Sequence, residues 1–309
     1  SNSKSDSERM SITSPLISVV LPAFNSAPHL PQALDSILSQ TLGDFEVLVI
    51  YDESTDNTRA IIESYMAKDA RVQLIEGQRA RLVGALNQGI RLAKGQYIAR
   101  MDADDVSLPA RFAKQIGAME GGQLDFCGCD IVMMDEDGRP ISDILMPQTP
   151  DLITATLACT VPFAHGSVMM RKAFLDQNSL LYQQGASAED YEFWCTAYAL
   201  GAKFGNIREP LFHYRHFSQS LSKVHAKVVG QHTQAIRRKF VQQNADALQA
   251  AITRLLPVQK QLSEREAGFL LLAAYLLYRH NQSPLVFSVL RHSSLKNIAI
   301  SIGKLVKGF

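Results

Sequence analysis

One tryptophan in 309 residues, only four cysteines and no long uninterrupted apolar run are the chain's first constraints. A bilayer-crossing helix needs roughly 18 to 20 consecutive apolar residues. The longest run here, Phe269 to Tyr278, is shorter and reads as a buried helix. The N-terminus lacks a charged segment leading into a long apolar stretch, so a secretory signal is not evident. Cys127, Cys129, Cys159 and Cys195 form no Cys-x-x-Cys pair and no zinc spacing. They read as reduced, structural thiols of a cytosolic protein. A fixed repeat period is also missing, which argues against a solenoid.

The composition, 46% hydrophobic and 20% charged, suits a soluble chain of one large domain or one domain plus an extension. Residues 1–14 are polar and read as a disordered tail, with Ser1-Asn2 a remnant of cloning and Met10 the expected natural start. A net charge of +1 conceals an asymmetry. From His225 onward twelve Lys and Arg face three Asp and Glu, leaving +9 there and −8 in the remainder. An acidic body with a basic tail points to two jobs.

Apolar strands and amphipathic helices alternate through the first third. Strands are expected at Ile17 to Leu21, Phe45 to Ile50, Val72 to Ile75 and Tyr97 to Met101, and helices at Leu30 to Gln40, Thr55 to Met66 and Leu82 to Ala93. Near-continuous apolar strands between such helices indicate a parallel sheet covered on both faces. From Asp125 to about Arg215 the pattern is mixed, with strands at Phe126 to Met134, Ser167 to Arg171 and Leu211 to Tyr214 and a helix from Glu189 to Leu200. After Ser222 it reads as helices: Val224 to Gln243, Ala245 to Leu255, Glu264 to Arg279, Pro284 to Leu290 and Leu295 to Val306.

In sheets of this kind ligands bind beyond the carboxyl ends of the strands. Three chemistry-bearing segments fall there: Pro22-Ala-Phe-Asn25, Tyr51-Asp52-Glu53-Ser54 and Asp102-Ala-Asp-Asp105. Alternation along an extended backbone sends Asp102 and Asp104 to one side and Asp105 to the other. Two carboxylates on one side form a hard-oxygen site suited to Mg²⁺ or Mn²⁺, ions that leave positions open for substrate phosphates. The bland alternative is a solvated acidic turn before Pro109.

Leu21-Pro-Ala-Phe-Asn25, Phe45 through Thr58, Ala85-Leu-Asn-Gln-Gly-Ile90, Tyr97 through Asp105 and Glu189-Asp-Tyr-Glu-Phe-Trp194 together resemble the signatures of family 2 glycosyltransferases. The likeness covers roughly residues 17–220, and the last third carries none. It implies an α/β, GT-A, Rossmann-like, mostly parallel sheet flanked by helices over residues 15–222, to which the helical pattern and the charge count add a basic helical extension over 223–309. It also implies inverting, metal-dependent transfer from a nucleotide diphosphate sugar, UDP-linked by preference, with Mn²⁺ or Mg²⁺ as cofactor.

Residue by residue, the resemblance places Asp104 on the metal, Asp102 on the metal or the ribose, and Asp105 in support. Pro22, Ala23, Asn25 and Asp52 map to the nucleoside pocket, and Arg81 and Asn87 to the donor's phosphates or sugar. Many relatives carry two acids after the second strand, whereas this chain has Tyr51 before Asp52. Asp190 becomes the base that deprotonates the acceptor, with Glu189 its neighbour or a sugar contact. Arg215 and His216 resemble the segment closing over the diphosphate, to pair with phosphate or metal.

Simpler readings stand beside these. Asp52 would cap the following helix, and Ser187-Ala-Glu-Asp190 fits a capping box. Arg81 would be a solvated charge, and Arg215 and His216 a strand-end charge cluster. Tyr191, Trp194 and Tyr198 are spaced as a core stripe, and His165 reads as a structural residue.

The cationic, amphipathic stretch Lys296 to Lys307 suits an anionic membrane surface where lipid-linked acceptors reside, with a dimer contact or a solvated face as alternatives. Nucleic acid is disfavoured for want of an accompanying aromatic or zinc motif. The expected function is therefore surface-polysaccharide synthesis on a saccharide or lipid-linked acceptor, cytoplasmic or at the inner face of the membrane. The competing functions are a degenerate sugar-nucleotide-binding scaffold and a nucleotidyltransferase. The latter lacks its usual glycine-rich, basic loop after the first strand.

Overall fold

The heptapeptide Ile17–Ala23, with three β-branched residues, forms β1, with Ile17, Val19 and Leu21 buried on one face and Val20 on the other. The computed structural model describes residues 14–79, 81–217 and 226–293. Parallel strands β2 (Phe45–Tyr51), β3 (Val72–Glu76) and β4 (Tyr97–Arg100) flank β1. Their connections are α1 (Leu30–Leu38), α2 (Thr58–Met66) and α3 (Arg81–Leu92). The expected boundaries hold within a few residues, α2 beginning later than the sequence suggests.

The second half of the sheet is mixed. β5 (Val106–Ser107), β6 (Phe126–Met134), β7 (Pro140–Ile144), β8 (Met169–Arg171) and β9 (Phe204–Arg215) complete a nine-stranded sheet ordered β3-β2-β1-β4-β8-β6-β9-β5, with β7 beside β6. The β4–β8, β8–β6 and β5–β9 pairs are antiparallel, and β6–β9 is parallel. Helices α4 (Arg111–Gly122), α5 (Pro150–Leu157), α6 (Lys172–Gln177) and α7 (Glu189–Ala199) cover it.

Two apolar cores lie on the two faces. One gathers Leu30, Leu34, Ile37 and Phe112 over β1 and β2. The other runs from Leu86 and Phe126 through Trp194 to Leu248, Ile252, Leu270 and Leu277. Leu248 and Ile252 lie on α9 (Ala245–Leu255) and Leu270 and Leu277 on α10 (Glu264–Asn281), which follow α8 (Ala226–Gln243) and precede α11 (Leu285–His292). The helical extension therefore shares a core with the sheet, through α5 above all. Its charge is partly engaged within the chain as well: Arg254 pairs with Asp151 at 2.8 Å, Arg208 of β9 meets Glu266 of α10 at 3.1 Å, and Arg237 Nε donates to the Cys159 carbonyl at 2.5 Å. Among the described residues no helix is long and apolar enough to cross a membrane. The Leu295 to Val306 helix and the Lys296 to Lys307 stretch lie outside the described residues, as does nearly all of the 1–14 tail.

Candidate active site

Register sets the site. Ala23 pairs with Tyr51 across β1–β2, and Val20 with Arg100 across β1–β4, so the segments that follow emerge on one edge. Because β4 ends at Arg100, the strand alternation expected for the three aspartates no longer applies. Asp102, Asp104 and Asp105 sit in a turn, and one oxygen from each lies within 4.8 Å of the others. Asp105 thus joins the other two instead of pointing away. Among the described residues this is the one cluster of three potential metal ligands. His216 does not join it: β9 ends at Arg215, and the His216 main-chain N–H donates to the Met134 carbonyl at 2.9 Å.

The cluster is electrostatically tense. Burial first, and the Asp102 charge second, push the Asp104 carboxyl up to about 6. Burial, then Asp102 and Asp104, push Asp105 well above the ordinary carboxylate range. Asp105 is 1% exposed, and its Oδ2 has no hydrogen-bond partner. Arg100, 2% exposed, forms an ion pair with Asp102. Three hard-oxygen donors, mutual repulsion and an orphaned buried oxygen fit a divalent cation. Gly166 closes the back of the cluster: a Cβ there would stand 3.0 Å from Asp105 Oδ2, 3.1 Å from Asp102 Oδ2 and 2.8 Å from Phe212 Cζ.

On the side where the sequence pattern places a nucleoside, Pro22 and Ala23 end β1, and the loops after β1 and β2 are zipped together. Asn25, at φ 46°, donates its N–H to Ser54 Oγ at 3.0 Å and accepts from the Thr55 N–H at 2.9 Å. Its side chain is therefore engaged in holding the loops. Asp52 does not cap α2, whose Thr58 N–H goes to Asp56 Oδ1 at 3.0 Å. Instead Asp52 Oδ1 accepts from the Arg79 N–H at 3.1 Å, beside a polar cleft of about 400 Å³. Tyr51, Glu53, Arg59, Glu76, Gly77 and Arg79 line that cleft. The sequence reading missed Arg59, Glu76, Gly77 and Arg79; the available signal was a glycine followed closely by an arginine at the carboxyl end of the third strand. Phe24, 61% exposed at the tip of β1, was missed as well. Arg81 is exposed at the start of α3.

On the opposite side α7 opens with Glu189 and Asp190. No capping box forms: Ala188 is the N-cap without a side-chain bond, and the Ser187 N–H meets His232 Nδ1 at 3.3 Å. Asp190 Oδ1 accepts from the Tyr191 N–H at 2.7 Å. Burial first, and the Glu189 charge next, raise the Asp190 carboxyl to about 6.

Trp194 is fully buried against Phe126 and Phe163, as a core residue. Asn87 is also buried, and its amide bonds both main-chain groups of Tyr182, Nδ2 to the carbonyl at 2.9 Å and Oδ1 from the N–H at 2.8 Å. Arg215 is held from behind the aspartates. Its N–H donates to Asp105 Oδ1, and its guanidinium to the Asp104 and Glu136 carbonyls and to Gln32 Oε1. Burial, then Arg100, hold the His165 ring well below its usual pKa, so it is neutral at pH 7.

The profile described as "Glycosyl transferase family 2" matches residues 18–179. The O-antigen biosynthesis glycosyltransferase WbnJ of Escherichia coli is 32% identical over 212 residues, which is 67% of this chain and 82% of WbnJ. The uncharacterized glycosyltransferase EpsJ of Bacillus subtilis is 28% identical over 219 residues, 68% of this chain but only 64% of EpsJ. Among solved structures, S. aureus TarS 1–349 in complex with UDP-GlcNAc superposes with a TM-score of 0.58 at 18% identity, covering 88% of this chain and 89% of that one.

Proposed function

The chain belongs to glycosyl transferase family 2 and is a glycosyltransferase; from that premise we propose that it transfers a sugar, with inversion, from a nucleotide diphosphate sugar to a hydroxyl of a saccharide or lipid-linked acceptor. The observation that carries this reading is the convergence of Asp102, Asp104 and Asp105 at the carboxyl edge of the sheet. A divalent cation, Mn²⁺ or Mg²⁺, held by these acids supplies charge neutralisation at the leaving diphosphate. The cleft beside Asp52 receives the nucleoside, where a carboxylate suits a ring N–H of the base. A UDP-sugar is the favoured donor, in keeping with the ligand in the TarS complex.

Asp190 is the base. The acceptor oxygen attacks the anomeric carbon from the face opposite the diphosphate while its proton passes to the Asp190 carboxylate. The bond from the anomeric carbon to the phosphate oxygen breaks, and its electron pair leaves with the nucleoside diphosphate. A carboxyl poised near 6 is ionised at neutral pH yet basic enough to take that proton. Arg215, rather than reaching the substrate, fixes the main chain that carries Asp104 and Asp105. O-antigen synthesis by WbnJ supports a surface polysaccharide as product, made at the inner face of the membrane with the basic C-terminal region toward it.

The test is thermal unfolding with MnCl₂ and a panel of UDP- and GDP-sugars, paired with hydrolysis of each donor in the absence of acceptor. One donor should stabilise the fold and be hydrolysed only with metal, and Asp104→Ala should abolish that hydrolysis. A panel with no stabilising donor, or an Asp104→Ala protein at full rate, overturns the proposal.

A further inference from the structure

Resting on the catalytic reading above, we propose that His165 and Tyr182 form a positioning strut that fixes the aspartate cluster relative to Asp190. The contacts run without a break from one to the other. The Gly166 backbone lies against the Asp102 and Asp105 carboxylates, close enough that a Cβ would reach 3.1 and 3.0 Å from their oxygens. His165, its neighbour in a 3-10 turn spanning His165–Ser167, places Nε2 2.8 Å from the Tyr182 hydroxyl. The Tyr182 ring stacks on Phe193, with centroids 4.1 Å apart and planes 11° from parallel. Phe193 stands three residues after Asp190 on α7, one helical turn away on the same face. From the other side, α3 pins the Tyr182 main chain through both ends of the Asn87 amide. Stacking, main-chain clamp and hydroxyl bond together leave Tyr182 little freedom.

Stability does not require this polar pair. The net contribution of one buried hydroxyl–imidazole bond to folding is small, and two apolar rings of similar shape would hold the core as well. What the bond adds is direction. It ties the turn behind the cation site to the helix that carries the base, and the remaining contacts along the path are non-directional packing. Charges of both groups reach the pair: Arg100 acts on His165, and Arg100, Asp190, Glu189 and Asp102 all act on Tyr182. A misplacement near 1 Å between base and leaving-group site costs on the order of 100-fold in rate.

Tyr182→Phe removes the hydroxyl while leaving the stacking and the Asn87 clamp. Initial rates of UDP-glucose and UDP-GlcNAc hydrolysis with Mn²⁺, water standing in for the acceptor, are measured on the full chain. The Tyr182→Phe, His165→Ala and double variants are compared with His165→Gln, whose amide can reach the hydroxyl. Each single change should lower kcat by about 10- to 100-fold. The donor KM and the Mn²⁺ dissociation constant should stay within about twofold, and Tm within about 3 °C. The double variant should be no slower than either single one, because both break one link, and His165→Gln should recover part of kcat.

An unchanged kcat in Tyr182→Phe overturns the strut, as does a fall in kcat matched by equal losses in donor affinity and Tm, or additive single effects. A wild-type protein that hydrolyses neither donor, nor any other in the panel, overturns the catalytic reading and the strut with it. An active wild type with an indifferent Tyr182→Phe overturns the strut alone.

Discussion

The main-chain N–H of Arg215 donates to Asp105 Oδ1 at 2.7 Å, joining residues 110 positions apart. With the guanidinium on the Asp104 carbonyl at 2.8 Å and the Glu136 carbonyl at 2.8 Å, β9 holds both acids from behind. Arg215→Met keeps the main-chain bond and deprives those partly buried carbonyls and Gln32 of their donors. Stability should fall by about 2 to 4 kcal/mol in urea denaturation. Mn²⁺ should bind more weakly because the Asp104 main chain is released. Arg215→Lys, with a point charge in place of a fork of donors, should recover less than half of the loss. A Met variant as stable as wild type would show that the clamp is idle.

Asp104 illustrates a site that works against its own fold. Its carboxyl titrates near 6 in the folded chain, above the ordinary 3.8, through burial first and Asp102 second. Between those two values the folded state keeps a proton that the unfolded chain has released. Metal-free stability therefore falls as pH rises through that window, and the deficit is fully present at neutral pH. Asp104→Asn should raise metal-free stability at pH 7.5 by about 1 to 3 kcal/mol and abolish stabilisation by Mn²⁺. Thermal unfolding in EDTA and in MnCl₂ checks both halves. A variant less stable than wild type in EDTA would show that the acids are not strained.

Much of this was legible in the chain. The strands at Ile17, Phe45, Val72 and Tyr97 are short, apolar and separated by amphipathic helices, so local pattern alone specifies a parallel half-sheet and the edge where ligands gather. The second half resisted because its pairings depend on partners far away. The two residues Val106 and Ser107 are a strand only because β9 lies beside them. The register shifts about Asp130 let β9 run past Pro210, which conceals its full length from a reading by period. Asp105 joins the other two because the strand ends at Arg100, so alternation does not extend through the five residues from Met101 to Asp105. Asn87 illustrates the deepest gap: its amide meets Tyr182 across 95 residues, and nothing local to either announces the bond.

With Asp190 as the proposed base, its carboxyl should set the acid limb of the pH profile. Its carboxyl sits near 6 through burial first and Glu189 second. Only the ionised form takes a proton, so kcat should rise with pH through about 6 and level off above it. Glu189→Gln removes the second cause and should move that limb to lower pH by up to about one unit. Donor hydrolysis across pH 4.5 to 8 at saturating Mn²⁺ separates this limb from the titration of Asp104, which the bound cation would depress (the pH range is roughly that spanned by perturbed carboxyls). A limb that stays in place in Glu189→Gln would assign it to another group.

Gly77 tests the proposed nucleoside cleft independently of the proposed metal site and base. Its N–H donates to the Tyr51 carbonyl at 2.7 Å, and a Cβ would stand 2.8 Å from that same oxygen while overlapping Asp52 Oδ1. Because Asp52 Oδ1 also accepts from the Arg79 N–H, Gly77→Ala must displace the carboxylate or the loop that carries Arg79, and either movement reshapes the cleft. The donor KM should rise about tenfold or more, with kcat changed far less, because the binding of a remote part of the donor is weakened while the reacting groups stay in place. UDP alone should stabilise the variant less than wild type in thermal unfolding, whereas Mn²⁺ alone should stabilise both equally. A KM unchanged in Gly77→Ala would move the nucleoside out of this cleft and leave Asp52 as a loop residue.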